Sequence, residues 1–280
     1  MRLLPPFKFS SLVVLLSLVP AAASVSARVV APPLSIAWTN NMLTIYDGRL
    51  PGGKVDTWYL EAFCRSGAHN RDWSRTTIPH ETELVSIGRN GKRIRLRTVV
   101  EPGVEVLHDI RAGRDEVTFR LTLRNRGGEF ADVQWFQPCM RVGGFTGLKQ
   151  DDYHRRCFIF TSSGLITLDK TRRTEEALYR GGQVYIPRAI KPEDANPRPL
   201  SPDTPINGLI GCFSADNRYL LATAWDKTHE LFQGVIVCIH NDPHVGGLKP
   251  GETKTLRGKI YLAANDPTAL LKRYRKDFPR

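Results

Sequence analysis

The sequence lacks the short motifs that mark several large enzyme classes. Its 280 residues contain no G-x-S-x-G, H-E-x-x-H, Walker or Rossmann pattern. Serine hydrolases, zinc proteases and nucleotide-binding enzymes use those patterns to position a nucleophile, a metal or a phosphate. These functions are therefore disfavoured, and no cofactor is expected.

Cysteine is scarce and widely spaced. There are five cysteines and no C-x-x-C pair, which disfavours a zinc or thiol-redox site. Cys157 and Cys238 lie in the apolar runs C-F-I-F and V-I-V-C-I, so we expect them to be small buried core residues. The odd number leaves at least one thiol unpaired even if one or two disulfides form in an oxidising compartment.

Long apolar segments are absent after the N-terminus. Residues 1–27 combine basic Arg2 and Lys8 with the apolar run Leu12–Val19 and small residues after it. This layout predicts a secretory signal peptide, because the run is too short to span a bilayer. A short N-terminal membrane anchor is the alternative. We expect a chain exported to the periplasm or the extracellular space, with no membrane contact after cleavage.

Acidic residues are outnumbered by basic ones. The formal net charge is +12, from 40 Lys and Arg against 28 Asp and Glu. Basic exported proteins often meet acidic polymers such as uronate or sulfated glycans, although a basic solvated surface is the simpler alternative. Because no dense Lys/Arg block with interleaved aromatics occurs, no nucleic-acid partner is expected.

The sequence does contain a series of short alternating segments. In E-V-T-F-R-L-T-L-R-N (116–125), apolar and polar residues alternate as in a half-buried strand. Similar segments recur between turn residues, which predicts an all-β fold, a large antiparallel β-sandwich (supersandwich), in residues 28–280 as one domain. Asp266 and Pro267 predict the start of a short C-terminal helix. The proline-rich residues 187–207 predict a long loop that borders a binding site.

Histidines concentrate in the run H-N-D-P-H. His240 follows an apolar strand, and Pro243 is expected to end that strand, which would leave Asp242 and His244 in the following loop. His240, Asp242 and His244 can supply metal ligands, but a metal site needs further groups that the spacing does not provide. A catalytic or substrate-binding role for His240 and a structural polar loop remain the other interpretations, and no metal is expected.

The loop G-A-H-N-R-D-W-S-R (67–75) is rich in hydrogen-bonding groups beside an indole. Sugar recognition uses such a mixture, because a Trp ring stacks on a pyranose while polar groups bind its hydroxyls. His69 is a candidate catalytic residue here, and Arg71 and Trp73 are candidate substrate-binding residues. A solvated loop anchored by one buried Trp is the alternative.

A third group of candidates lies in V-Q-W-F-Q-P-C-M-R and in the following L-K-Q-D-D-Y-H-R-R. Trp135 and Gln137 are candidate sugar contacts, and Arg141 can bind a carboxylate with two hydrogen bonds. Tyr153 and His154 are candidate proton-transfer groups. The alternative is that Arg141 pairs internally and that the other two are surface residues.

The passage EVTFRLTLRNRGGEFADVQWFQPCM resembles the strand with a Leu-x-Asn ending in galactose-mutarotase-like supersandwich proteins. The segment GGLKPGETKTLRGKIYLAANDPTALLKRYRKDF resembles the closing segment of sugar-active β-sandwich domains, and the whole chain resembles exported bacterial carbohydrate-active-type proteins. Aldose epimerases of this fold carry an Asn-His pair where this sequence reads Q-W-F-Q-P-C-M-R. The resemblance therefore implies the fold and a sugar ligand rather than the epimerase reaction.

Two functional hypotheses remain. In the first, the protein acts on an acidic polysaccharide as a lyase or glycoside hydrolase, with Arg141 binding a uronate carboxylate and His69, Tyr153 or His240 transferring protons. Hydrolysis would instead need a carboxylate pair from Asp72, Asp151, Asp152, Glu230 and Asp242. In the second, it is a non-catalytic glycan-binding or cell-envelope module, with Trp73, Trp135 and Trp225 as a stacking platform.

Overall fold

Strands make up most of the chain. The computed structural model describes Met1, residues 34–180 and residues 182–279, so the predicted signal peptide lies outside the described residues except for Met1. The strands of the described residues are, in chain order, β1 Ser35–Thr39, β2 Met42–Tyr46, β3 Lys54–Cys64, β4 Thr77–Ile78, β5 His80–Ile87, β6 Arg93–Val100, β7 Val104–Ala112, β8 Glu116–Asn125, β9 Trp135–Arg141, β10 Cys157–Thr161, β11 Gly164–Thr167, β12 Gln183–Tyr185, β13 Leu209–Phe213, β14 Tyr219–Trp225, β15 Thr228–Gln233, β16 Cys238–Pro243 and β17 Thr253–Ala264.

These strands form two large sheets. The first sheet has the order β1-β2-β3-β9-β16-β15-β12, with β4 paired to β3. The second has the order β11-β10-β13-β14-β17-β8-β7-β6-β5. All ladders between these strands are antiparallel. The predicted antiparallel β-sandwich is therefore confirmed.

Helices are short and peripheral. They are α1 Trp73–Thr76, α2 Gly143–Thr146, α3 Glu175–Arg180 and α4 Pro267–Asp277. The predicted C-terminal helix is confirmed, because α4 begins at Pro267 and the Asp266 carboxylate accepts a hydrogen bond from the Ala269 backbone N–H at 2.9 Å. None of the helices within the described ranges has the length and apolar character needed to cross a bilayer.

The core fills the space between the two sheets. The alternation in β8 places Phe119 and its apolar neighbours inward, where Phe119 stacks on Tyr59 of β3 at 5.3 Å between ring centroids. Trp225, at the end of β14, packs in the same core at 5.5 Å from Phe119 and 5.4 Å from Phe136. Aromatic rings from both sheets thus hold the sandwich together.

One histidine lies inside this core. His108 on β7 is 2% exposed, and both ring nitrogens have partners: Nδ1 lies 3.1 Å from the Tyr59 hydroxyl and Nε2 lies 3.0 Å from the Thr98 hydroxyl. Burial lowers the pKa of His108 to about 3, so the ring is neutral in the folded protein. It acts as a satisfied polar residue of the core.

The strand β5 forms one edge of the second sheet. A bulge interrupts its ladder with β6 between Leu84 and Ser86. Leu84, Val85 and Ile87 on this strand are exposed. The edge therefore combines apolar side chains with a local break in strand regularity.

The structure corrects the predicted course of the histidine-bearing strand. We expected a strand from Gly234 that ends near His240, but Val235 and Ile236 lie exposed in a bend and β16 runs from Cys238 to Pro243. The backbone of Gly234 lies so close to Cys238 that an added Cβ would be 2.1 Å from its sulfur. The bend therefore needs glycine, and Asp242 lies within the strand rather than in a loop.

Candidate functional site

A cluster of polar side chains lies on the face of the first sheet that points away from the core. Successive side chains of a strand point to opposite faces. Because Phe136 and Ile239 pack in the core, Gln137 on β9 and His240 on β16 lie on the opposite face. We call this surface the outer face of the first sheet.

Two carboxyl groups meet on this face. Glu230 of β15 and Asp242 of β16 are cross-strand partners, and both are 0% exposed. Directly opposed residues of antiparallel strands have Cβ atoms about 5 Å apart, so the two carboxyls lie side by side. The Nδ1 atom of His240 lies 3.7 Å from Oδ1 of Asp242. The charge of Glu61 on β3 also acts on Asp242, and we call Glu61, Glu230, His240 and Asp242 the acid cluster.

Burial controls the protonation of the acid cluster. It raises the pKa of Asp242 to about 6, although the neighbouring His240 and Glu230 act to lower it, and the charge of Glu61 adds a smaller rise. Burial and the neighbouring Asp242 raise the pKa of Glu230 well above its ordinary value. Burial opposes the charged form of His240, but Cys139 and Asp242 raise its pKa well above the ordinary value. Two adjacent acids with different proton affinities can serve as a proton donor and a proton acceptor.

The cluster contains polar atoms that the protein itself does not satisfy. Six buried side-chain atoms on this face have no hydrogen-bond partner among the described residues: Glu61 Oε2, Glu230 Oε1, both carboxylate oxygens of Asp242, His240 Nδ1 and Trp135 Nε1. Most buried polar groups in folded proteins are hydrogen-bonded, and each orphan costs about 1–3 kcal/mol. So many orphans on one face mark it as the candidate functional site, because a polar ligand or ordered water would satisfy them.

A column of aromatic rings stands beside the acid cluster. Trp73 lies 6.3 Å from Trp135, which stacks on His229 at 5.2 Å, and His229 stacks on His244 at 5.4 Å. Burial lowers the pKa of His229 to about 3, and the charge of His244 opposes protonation further. Their Nδ1 atoms are 3.1 Å apart, so one neutral ring donates a hydrogen bond to the other. Trp73 is 39% exposed and ends the column at the surface.

The proline-rich segment 187–207 lies against the acid cluster. The backbone N–H of Asn196 donates to Oε2 of Glu230 at 2.9 Å, and Nε2 of His229 lies 3.1 Å from the Asp194 carbonyl. Nδ1 of His69 lies 3.1 Å from the Asn196 carbonyl. The segment therefore joins the loop that follows β3 to the strand that carries Glu230.

The structure brings several predicted residues together. His240, Trp135, Gln137 and Asp242 share the outer face. The candidate trio of metal ligands is divided, because Asp242 lies beside His240 whereas His244 pairs with His229.

The rim of the site holds further predicted residues. His69 contacts the Asn196 carbonyl, and the ring of Trp73 packs near that of Trp135. Both residues therefore lie at the edge of the site. Arg71 lies beside Gly67 in the same loop. Arg141 ends β9 on this face, and its guanidinium has no carboxylate partner among the described residues.

Other predicted residues lie elsewhere. Tyr153 is buried, and its hydroxyl donates to the Gly234 carbonyl at 2.6 Å, while burial raises its pKa above the ordinary range. His154 is half-buried, burial lowers its pKa, and no described contact joins it to the acid cluster. Trp225 belongs to the core between the sheets and does not join Trp73 and Trp135.

Sequence analysis missed Glu61 and named Glu230 only as one of five carboxylate candidates. Glu61 lies in the otherwise apolar strand segment W-Y-L-E-A-F. A lone charge in such a segment is a usable signal, because carboxylates are seldom buried without a partner or a function.

A groove of about 850 Å³ lies between residues 202–208 and α4, and no residue of the acid cluster lines it. Its acids already have cationic partners: Asp203 pairs with Arg172 at 2.8 Å, and Asp226 pairs with Arg257 at 3.3 Å. The acids of this groove are therefore already paired with cations, whereas several carboxylate oxygens of the acid cluster have no partner among the described residues. For this reason we take the acid cluster as the candidate functional site.

The outer face of the second sheet carries arginines instead of buried acids. We call it the arginine face, and it contains two neighbouring cross-strand rows, Arg93–Arg111–Thr118–Lys259 and Arg95–Asp109–Arg120–Arg257. Hydrogen bonds from Arg93 and then Arg111 hold the pKa of Asp109 below its ordinary value. Arg95, Arg120 and Arg124 are exposed and have no carboxylate partner within the described ranges. The face is solvated and carries excess positive charge.

Similar solved structures are found for this chain, at low sequence identity. No protein-family model and no curated protein matches the chain. Similar solved structures include the Slr1438 protein from Synechocystis sp. PCC 6803 (7% identity, 83% of this chain and 96% of that chain covered, TM-score 0.45). They also include a putative aldose 1-epimerase from Escherichia coli K12 (10%, 82% and 99%, 0.42) and a galactose mutarotase related enzyme from Lactobacillus acidophilus (8%, 83% and 98%, 0.44).

Proposed function

We propose that the protein binds a saccharide on the outer face of the first sheet and transfers protons on it with Glu230 and Asp242. The observation that carries this proposal is the convergence of unpartnered buried polar atoms in the acid cluster. A saccharide presents many hydroxyl groups that both donate and accept hydrogen bonds, so it can satisfy carboxylate, imidazole and indole groups together.

The aromatic column supports a sugar as the ligand. Its surface end, Trp73, is partly exposed, while Trp135 below it is fully buried. An exposed indole face can stack on the C–H face of a pyranose beside polar groups that bind the hydroxyls. The column thus offers an apolar contact at the rim of a polar site.

The side-by-side carboxyls favour elimination over hydrolysis. Glycoside hydrolysis uses two carboxyls that flank the scissile bond, whereas Glu230 and Asp242 lie beside each other on one face as cross-strand partners. In elimination, Asp242 takes the C5 proton of a uronate, the C–H electron pair forms the C4–C5 double bond and the C4–O bond breaks. The leaving oxygen takes a proton from Glu230, which balances the step.

Arg141 supports an acidic polymer as the substrate. It lies four residues beyond Gln137 on β9, about 13 Å away along the strand. At that distance its unpaired guanidinium can bind the carboxylate of a neighbouring sugar unit with two hydrogen bonds. The basic composition and the predicted signal peptide support an exported protein that meets such polymers in the periplasm or outside the cell.

The decisive experiment measures turnover of acidic polysaccharides by the purified chain, from the ultraviolet absorbance of unsaturated uronate products. We expect Asp242→Asn and Glu230→Gln to lower the rate by roughly 10²–10⁴-fold while polysaccharide binding is retained. The matched control is Asp151→Asn, which changes an exposed carboxylate outside the site and should keep full turnover. Unchanged turnover in both cluster variants would refute these roles.

The substitution Arg141→Gln tests binding of the polymer separately from the proton-transfer step. Because Arg141 is placed to bind a sugar unit beyond the reacting one, we expect KM to rise on long chains while short oligosaccharides are little affected. An equal effect on long and short substrates would contradict its placement beyond the reacting unit.

A non-catalytic glycan-binding module is the second candidate, and the arginine face favours it. Arg120 and Arg257 are direct cross-strand partners, although like charges opposite each other are unfavourable. A groove of about 270 Å³ beside them is lined by Arg111, Arg120, Arg257 and Lys259 among others. Retention on an anionic polysaccharide that is lost in Arg120→Thr, without turnover by the wild type, would support this function instead.

A further inference from the structure

Three soft ligand atoms meet on the outer face of the first sheet. The sulfurs of Cys139 and Cys238 and a ring nitrogen of His240 all lie within 4.8 Å of one another. All three residues are buried, with exposures of 1%, 1% and 2%. The Cys238 sulfur lies 3.2 Å from Nε2 of His240.

The register of two strands creates this group. In the ladder between β9 and β16, Cys139 is the direct partner of His240. Cys238 precedes His240 by two residues and therefore lies on the same face. The three ligands come together without any C-x-x-C spacing, because about a hundred residues separate the two strands in the sequence.

The separations suit a small metal ion. A tetrahedral ion with Zn–S bonds near 2.3 Å and Zn–N bonds near 2.0 Å holds a sulfur and a nitrogen ligand about 3.5 Å apart. The observed 3.2 Å between Cys238 Sγ and His240 Nε2 differs from this by a few tenths of an ångström. Small side-chain rotations would therefore complete the geometry without backbone movement.

The second ring nitrogen of His240 provides an independent indication of a metal site. The Nδ1 atom of His240 is buried, has no hydrogen-bond partner among the described residues and lies 3.7 Å from Oδ1 of Asp242. Histidines that bind a metal through one nitrogen usually donate the other N–H to a carboxylate, which fixes the tautomer and orients the ring. Asp242 occupies that position.

We propose that Cys139, Cys238 and His240 bind a thiophilic d¹⁰ cation, Zn²⁺ or Cu⁺, with Asp242 orienting His240. Two thiolates and one imidazole form a soft ligand set, which selects these ions over Mg²⁺ or Ca²⁺. Metal ligation by cysteine uses the thiolate, so binding releases the thiol protons. The site shares His240 and Asp242 with the proposed sugar site, but metal binding does not depend on whether a sugar binds there.

The test uses the full chain and needs no substrate. Metal-free protein is titrated with Zn²⁺, with Co²⁺ as a spectroscopic substitute and with Cu⁺ against a chromophoric chelator. We expect one ion per chain by mass spectrometry, a thiolate-to-cobalt charge-transfer band, and a rise in the thermal midpoint of the wild type on Zn²⁺ or Cu⁺ addition. The ion with the tighter affinity identifies the cation.

Substitutions distinguish the metal ligands from Asp242, which only orients one of them. Cys139→Ser and Cys238→Ser should each weaken the charge-transfer band and the affinity. Asp242→Asn should lower affinity by about 10–100-fold while the band is kept. Cys212→Ala is the matched control, because Cys212 is a buried cysteine of the second sheet and should bind one ion as the wild type does.

Three results would overturn the proposal. They are failure of the wild type to bind either ion in stoichiometric amount, undiminished binding in both serine variants, or a Cys139–Cys238 disulfide mapped in the chain as isolated. Absence of polysaccharide turnover by the wild type, with metal binding intact, would count against the proposed function alone.

Discussion

Charged side chains on the two outer faces of the sandwich are placed under opposite conditions. The acid cluster is largely buried, the carboxyls of Glu230 and Asp242 lie side by side, and most of the cluster's polar atoms have no partner among the described residues. The arginine face is exposed, and its acid Asp109 is held between two guanidiniums. Burial without partners destabilises charge, whereas exposed pairing is nearly neutral. The first arrangement persists at a cost in stability, which indicates a function, and the second is compatible with an ordinary solvated surface.

The largest effect is expected from His229, whose buried neutral ring makes the stability of the first face depend on pH. Its pKa of about 3 in the folded protein lies below the ordinary 6.5. Its stabilising contribution is therefore complete above pH 6.5 and is lost as the pH falls toward 3. Between pH 6.5 and 5 the free energy of unfolding falls by about 2 kcal/mol from this residue. Urea unfolding of the wild type and His229→Gln over this range measures it.

Several groups face His229, so the control must isolate its share. They are His244, Glu230, the Asp194 carbonyl and the Trp135 ring. His108, with the same lowered pKa, lies in the core and contributes in the same pH range. The His229→Gln variant should keep the pH dependence of stability that comes from His108 and lose the part that comes from His229. Identical pH profiles for wild type and variant would contradict the assigned protonation state.

Asp109→Asn is expected to have a smaller effect, at lower pH. Guanidinium hydrogen bonds lower the pKa of Asp109, so its contribution is present above its ordinary pKa and is lost as the pH falls below it. Because the pair is largely exposed and screened, we expect the variant to lose about 1 kcal/mol or less at pH 7. Chemical unfolding in low and high salt checks this, and an effect that is insensitive to salt would contradict the solvated character of the face.

The smallest effect is expected from Arg120→Thr. Arg120 lies opposite Arg257 across the β8–β17 ladder, so removing the like-charge pair should raise the free energy of unfolding by a few tenths of a kcal/mol. Arg124→Thr is the matched control, since Arg124 lies opposite Thr253 and Glu105 and its removal brings no such gain. A loss of stability in Arg120→Thr would mean that Arg120 has a stabilising role in the sheet.

Local patterns predicted the architecture, whereas pairing between distant strands determined the site. Alternation in 116–125 correctly predicted β8 and the side of the sheet that each residue faces. In Y-L-L-A-T-A-W nearly every residue is apolar, so the pattern did not show that Trp225 faces the core. Pro243 does end β16, as predicted, but the strand includes Asn241 and Asp242, which were expected in the loop.

The cysteines show the same difference between what a local pattern predicts and what strand pairing determines. Their apolar surroundings predicted burial for Cys157 and Cys238, and both are buried. The closeness of Cys139 to His240 depends on the β9–β16 register, which neither segment specifies alone. Spacing rules for metal sites apply to ligands within one loop or helix, and they are silent when each strand supplies part of the set.

The irregular edge strand β5 has a consequence for solubility. A sheet edge with exposed Leu84, Val85 and Ile87 resembles a template on which another polypeptide could add a strand and start aggregation. The bulge between Leu84 and Ser86 interrupts the even row of backbone donors and acceptors that such addition requires. The same one-residue irregularity therefore protects the concentrated protein from edge-to-edge association, and a deletion that straightens β5 would remove this protection.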